Sequence, residues 1–177
     1  PEIQDLIRAS GGLNLGIDYL PGAVTFDPLA EKPDAALASS IVWFDGFVTN
    51  VDRTPRNVNL LIWHRRLYLI DHGATLYFHH SWNSFVERSR DPFQRIRDHV
   101  LLPFAGTLGQ ADSQMTGRIT PEVIDRVVRL IPESWLVGDS SLSACRQRDA
   151  YVEYLVKRLR PPRHFVEEAI RARSSHV

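Results

Sequence analysis

The sequence predicts a mixed α/β fold, mainly α-helical, with one short β-hairpin near its middle. Three observations carry that prediction. Apolar residues recur at helical spacing before residue 50 and again from Val123 onward. Two short apolar runs, Asn59 to Trp63 and Leu67 to Ile70, flank the polar triplet His64-Arg65-Arg66 and read as two strands joined by a turn. Pro and Gly pairs punctuate the remainder.

In order, Glu2 to Ala9 reads as the end of a helix, with Ile3, Leu6 and Ile7 on one face and Gly11-Gly12 as its stop. Residues 11–33 read as loop, with turn signals at Pro21-Gly22, Asp27-Pro28 and Lys32-Pro33. Asp34 is placed to N-cap a helix reaching about Thr49, whose Leu37, Ile41, Phe44 and Val48 are expected to face the core. Asn50 to Asn57 breaks that helix into a loop, because Pro55 cannot continue it. The hairpin follows, with Asp71 at its exit. A short helix is expected over Trp82 to Arg88, a longer one over Pro92 to Phe104, and loop over residues 105–119. Thr120-Pro121 is an N-cap and first-turn pair, ahead of an apolar stripe of Val123, Ile124, Val127, Val128 and Ile131. Cys145 to Leu159 and Arg163 to Arg173 complete the helices, separated by Pro161-Pro162. The last is expected to turn Phe165, Val166, Ala169 and Ile170 inward.

The 177 residues suit one domain with a workable core. No apolar run is long enough to span a bilayer, and no secretory signal pattern opens the chain. A lone Cys145 excludes an internal disulfide framework and fits a reducing, cytoplasmic setting. Only Lys32 and Lys157 are lysines among 21 basic residues, an Arg-rich balance typical of high-GC bacterial proteins. The net charge is zero but uneven. Residues 1–50 carry two basic and seven acidic side chains, and residues 51–177 carry nineteen and fourteen. The basic part would suit a phosphorylated ligand, although Arg on solvated helix faces is the commoner reason for such a balance. Nothing marks a nucleic-acid partner.

The chemistry is concentrated in Asn50-Val51-Asp52-Arg53-Thr54-Pro55-Arg56-Asn57 and in Ile70-Asp71-His72-Gly73. Phosphoryl transfer from a metal-bound nucleotide needs one carboxylate to orient the acceptor, then an amide oxygen and a second carboxylate on the metal. Asp52 is suited to the first task. Asn57 and Asp71 are suited to the second, and Mg²⁺ needs few protein oxygens beside phosphates and water. Each residue alone also suits an ordinary turn. Arg53 and Arg56 have two readings: neutralising an acceptor or phosphate, or forking to Asp71 or another acid to hold the loop. Asn59 is an alternative amide ligand, Asn50 is suited to supporting the loop backbone, and Asp45 to bracing it from the helix end. His72 is placed to order Asp71 by a hydrogen bond. Adjacent His79 and His80 suit opposite faces of a strand, which weakens a zinc reading. Trp63 is a candidate to lie near an adenine pocket, although tryptophans are more often core or rim residues. No Gly-x-Ser-x-Gly pattern supports Ser-centred catalysis.

These two segments resemble the catalytic and metal-binding segments of HipA-like kinases, most of all the shorter bacterial HipA-like proteins. They are similar to type II phosphatidylinositol 4-kinases and, more distantly, to protein kinases. The likeness is strongest over residues 43–80. It implies the C-terminal lobe of a protein-kinase-like fold, spanning residues 1–177. Asp52 would be the catalytic aspartate, Asn57 and Asp71 the metal ligands, and ATP with Mg²⁺ the cofactors. The acceptor would be a hydroxyl whose identity the resemblance does not give.

The chain departs from a complete kinase in one respect. Neither Lys32 nor Lys157 lies in a strand, and Gly11-Gly12-Leu13-Asn14-Leu15-Gly16 fits neither Gly-rich phosphate pattern. The chain also opens at Pro1 rather than Met. The expectation is that an N-terminal lobe, with its nucleotide Lys, is absent, trimmed or supplied by another chain, so that these residues alone would be inactive. A catalytically inactive pseudokinase or toxin-like interaction module is the alternative, and a metal-dependent phosphoesterase using the same acids is a third reading.

Overall fold

A computed structural model describes residues 2–136 and 142–175, apart from the side chains of Glu2, Leu6 and Ala9. Pro1 and the contribution of Leu6 to the first helix therefore lie outside the described residues. The elements run α1 (Glu2–Ala9), β1 (Val24–Thr25), α2 (Ala35–Phe47), β2 (Leu60–Trp63), β3 (Arg66–Leu69), α3 (Phe85–Arg88), α4 (Leu108–Arg118), α5 (Pro121–Arg129), α6 (Ala144–Leu159) and α7 (His164–Ser174). Tight 3₁₀ turns at Tyr77–His80, Gln94–Asp98, Leu102–Phe104 and Glu133–Trp135 join several of them. The fold is mainly helical with one small antiparallel sheet.

Helix α2 is the axis of the molecule. Asp34 starts it by accepting hydrogen bonds from the Ala36 and Leu37 amides. Its buried residues include Ala38, Ile41, Val42, Trp43, Asp45 and Phe47, so it is covered nearly all round. Two cores meet on it. Ile41 and Val42 pack with Leu60, Ile96, Leu101 and Leu102. Trp43 and Phe47 pack with Phe78, Tyr154, Ile124 and Phe165. A single apolar stripe is therefore the wrong description: Leu37 is exposed, and Phe44 and Val48 are only half-buried. Polar staples fix the neighbouring helices. Arg163 forks onto Asp112 of α4 through Nε and Nη2 at 2.7 and 2.6 Å, and Trp43 Nε1 donates to the same carboxylate at 2.8 Å.

The hairpin pairs Leu60 with Leu69 and Trp63 with Arg66. His64 and Arg65 form its two-residue turn with φ of 47° and 61°, the left-handed backbone that matches strand twist. Residues 11–33 are not all loop, since Val24 and Thr25 add a third strand against Ile62 and Leu61. Trp63 Nε1 donates to Pro21 O at 2.9 Å, which ties that segment to β2.

Three further expectations are corrected. Residues 92–104 form two 3₁₀ turns rather than a helix, because His99 between them is extended. Residues 105–119 hold α4, whose polar, Gly-containing sequence hides its helicity; only Leu108 and Ala111 are fully buried. The helix expected over Trp82 to Arg88 shrinks to α3. In α5 and α7 the stripes narrow: Ile124, Val128, Phe165, Val166 and Ala169 are buried, while Val127 and Ile170 are exposed. No described helix is long and apolar enough to cross a membrane.

Candidate active site

The loop after α2 hangs from Asp45, a carboxylate buried in the last turn of that helix. Asn50 donates to it twice: its amide N reaches Asp45 O at 2.9 Å, and its Nδ2 reaches Asp45 Oδ1 at 3.0 Å. Arg53 Nε donates to Asp45 Oδ2 at 2.6 Å. His99 completes the set at 2.9 Å from Oδ2. Its Nδ1 accepts from the Leu101 amide at 3.0 Å, so the proton sits on Nε2 and is donated to Asp45. Burial pushes the Asp45 carboxyl up, but the His99 hydrogen bond and the Arg53 guanidinium outweigh it and hold it below the usual carboxylate range. Burial pushes the His99 imidazole down, against the pull of Asp45.

Arg53 resolves into one of its two readings. It is almost fully buried, and beyond Asp45 its Nη1 donates to the carbonyls of Asn59 and Ile70. It rivets the loop to both hairpin strands and does not face solvent. Arg56 is exposed at the corner of a turn in which Thr54 and Asn57 exchange backbone hydrogen bonds at 3.0 and 3.1 Å. Asn50 Oδ1 accepts from the Asp52 amide at 3.1 Å, which orients the next residue.

Asp52 is half-buried, and its two oxygens have different fates. Oδ2 accepts from Asn57 Nδ2 at 2.6 Å and from Asn59 Nδ2 at 3.2 Å. Because a carboxylate only accepts, both amides must turn their NH₂ groups to it. Asp52 Oδ1 and Asn57 Oδ1 are thereby left without a hydrogen-bond partner among the described residues. Asp71 directly follows Ile70 at the hairpin exit. Ile70 N bonds Asn59 O at 3.1 Å on one side of it, and Val51 N bonds Ala74 O at 3.2 Å on the other. Asp71 itself has left-handed φ (49°) and is exposed. Its Oδ1 accepts from the Gly73 amide at 3.4 Å, and its Oδ2 has no hydrogen-bond partner among the described residues. His72 makes no hydrogen bond to Asp71 among the described residues; its ring meets Phe44 edge-on at 6.5 Å. Partial desolvation pushes its imidazole down, with the Arg53 charge adding to it.

Asp52, Asn57 and Asp71 thus each keep one side-chain oxygen without a hydrogen-bond partner among the described residues. Asn57 and Asp71 offer one hard oxygen each, which fits a cation that keeps phosphate and water for its other positions. No cluster of three His, Cys, Asp or Glu side chains able to hold a metal occurs among the described residues, so the zinc reading of His72, His79 and His80 finds no site. Lys32 lies in coil before α2 and Lys157 on α6, so neither described lysine is in a strand.

A family model described as HipA-like kinase matches residues 22–168, a span that contains every one of these groups. The chain belongs to the HipA-like kinases. No curated protein and no solved structure matches it. The Asp45–His99 bond escaped sequence reasoning. The only trace of it is a histidine opening an otherwise apolar run, His99-Val100-Leu101-Leu102.

Proposed function

We propose that this chain carries the catalytic half of an ATP- and Mg²⁺-dependent phosphotransferase acting on a hydroxyl. The observation that supports it best is the divided Asp52 carboxylate. Two amides immobilise Oδ2, so Oδ1 is left to accept the proton of an incoming hydroxyl. Asn57 Oδ1 and Asp71 Oδ2 would hold the metal, which when bound screens the phosphate charge during transfer. The acceptor oxygen bonds to the γ-phosphorus, the bond from that phosphorus to the ADP oxygen breaks, and the hydroxyl proton passes to Asp52 Oδ1. The groups that grip the nucleotide, a strand lysine above all, would come from a lobe outside residues 1–177.

The test is Asp52→Ala in the protein carrying that lobe, assayed by transfer of labelled γ-phosphate. A loss of about 100-fold or more is expected for removal of a positioned base. Unchanged transfer would sink the catalytic assignment. Asn57→Ala and Asp71→Asn are expected to abolish thermal stabilisation by ATP with Mg²⁺. A lobe-complete protein that ATP and Mg²⁺ never stabilise would instead favour the inactive, interaction-module reading. Phosphate release from esters without nucleotide would favour the phosphoesterase.

A further inference from the structure

A hollow of about 860 Å³ opens between α2, α5, α6 and the segment that follows Asp71. Phe44 and Phe47 of α2, Ile124 and Val127 of α5, and Tyr151 and Leu155 of α6 contribute to its wall. His72 and Gly73 line it as well. Its volume falls within the range of small-molecule sites, whereas ordinary interiors hold few voids larger than a water molecule.

The walls are pinned by bonds that do not depend on what the hollow holds. Leu76 N donates to Val48 O at 2.9 Å, which ties the segment after Asp71 to the end of α2. Arg148 Nη2 of α6 donates to Ile131 O at 2.8 Å, which fixes the exit of α5. Trp135 Nε1 donates to Leu13 O at 2.7 Å at a further edge. Side chains alone therefore cannot close the hollow; these bonds would have to break first.

The lining is chemically one-sided. It contains no Asp, Glu, Lys or Arg among the described residues. Burial pushes the His79 imidazole down, with His80 adding to it, so this ring is neutral at neutral pH. The His79 ring and the Tyr151 hydroxyl make no hydrogen bond among the described residues, and their rings lie 6.5 Å apart.

We propose that this hollow binds an uncharged, apolar small molecule: an aromatic or alicyclic body carrying one hydroxyl or carbonyl group. The inference is independent of the phosphotransferase reading. The body would cover the aliphatic and aromatic walls, and the polar group would meet His79 or Tyr151. A charged ligand fits poorly, because it would lose water without gaining a counter-charge. A second copy of the chain fits poorly too. The wall is concave, and Val127 and Trp135 are its only large apolar side chains left exposed among the described residues. That is far less than a stable protein interface covers.

The experiment titrates the unmodified chain with N-phenyl-1-naphthylamine, an uncharged dye that brightens in apolar surroundings. Saturation at one dye per chain is expected, with Kd of about 10 μM or tighter. 2-Naphthol should displace the dye about tenfold better than 2-naphthoate, which has the same rings and a negative charge. Val127→Glu puts a charge in the wall at an exposed position and should weaken dye binding about tenfold or more. Leu130→Glu makes the same change at an exposed position outside the lining and should leave binding unchanged. Circular dichroism checks that both variants keep the fold. Dye binding that does not saturate, equal displacement by the two naphthalenes, or equal effects of the two variants overturns the proposal. A dimer that Val127→Glu dissociates would show that a second copy covers the hollow, and loss of dye binding in the lobe-complete protein would show that the lobe does. Either result overturns the proposal.

Discussion

Asp45 does more for the active loop than any residue that would touch substrate. It is a fully buried carboxylate with Asn50, Arg53 and His99 all donating to it. Removing it strands the Arg53 guanidinium in the interior, since the Asn59 and Ile70 carbonyls that remain carry no full charge. Asp45→Ala is therefore expected to destabilise the fold by about 3–5 kcal/mol, read from urea midpoints, and to disorder Asp52 with it. A loss below about 1 kcal/mol would show that water reaches Arg53 and that the burial argument is wrong. The same cluster sets a pH dependence. His99 is neutral in the fold and its imidazole is pushed down by burial, so the unfolded chain takes up a proton that the fold refuses. Stability is accordingly lost as pH falls below about 6.5, at a slope approaching about 1.4 kcal/mol per unit. Asp45, whose carboxyl is held low, gives up its contribution only in a more acid window, as pH falls below the ordinary carboxylate value and through its folded one. His72 and His79 are also pushed down and act with the same sign, so the diagnostic is a difference. His99→Gln keeps a donor for Asp45 without the titration. Its stability should fall less than the parent's between about pH 7.5 and about pH 5.5. Equal falls would mean that His99 titrates alike in both states.

The hairpin sets where Asp71 lies relative to the loop, because its register carries Ile70 opposite Asn59, whose Nδ2 donates to Asp52. Its turn is built from residues poorly suited to it. His64 and Arg65 both have positive φ, which costs an L side chain on the order of 1 kcal/mol each. Replacing the pair with Asn-Gly should raise stability by about 1 kcal/mol in urea unfolding and leave the strand register unaltered. Destabilisation would show that His64, which packs against Trp63 at 4.3 Å between ring centroids, contributes more through that contact than the turn geometry takes away. The strands and their turn were legible because two short apolar runs broken by the polar triplet His64-Arg65-Arg66 are too short for helices and read as a hairpin. Helix α4 was not, since Gly109, Ser113, Thr116 and Gly117 are poor helix formers that tertiary contact overrides, including the Trp43–Asp112–Arg163 staple. The His99 turn was missed for a related reason: an apolar run reads the same whether it is helical or bent around a buried polar contact.

Across the whole molecule, the sequence showed which residues could do chemistry more readily than which residues hold them. Asp52, Asn57 and Asp71 are recognisable by type and spacing. Their loop is held by Asp45, Arg53 and His99, and of these only His99 is distant in sequence and without a local signature. The choice between the two roles of Arg53 needed burial, which spacing does not encode. The interior of α2 was misread because amphipathicity assumes one buried face, and this helix has two cores upon it. That arrangement has a mechanical consequence. One core contains the hairpin that carries Asp71, the other holds Phe78, Phe165 and the packed face of α6, and both share consecutive residues of α2. Neither can come apart without releasing the helix that the other needs. Urea unfolding followed by far-UV circular dichroism and by tryptophan fluorescence should therefore give coincident transitions. Ile41→Ala lies in the first core and should cost about 2–5 kcal/mol, moving both probes together. The stringent case is the fluorescence of Trp43, which sits in the second core. If Ile41→Ala shifted the dichroism and left the Trp43 signal where it was, the two cores would be independent units, and α2 would not be what couples the hairpin to the helices behind it.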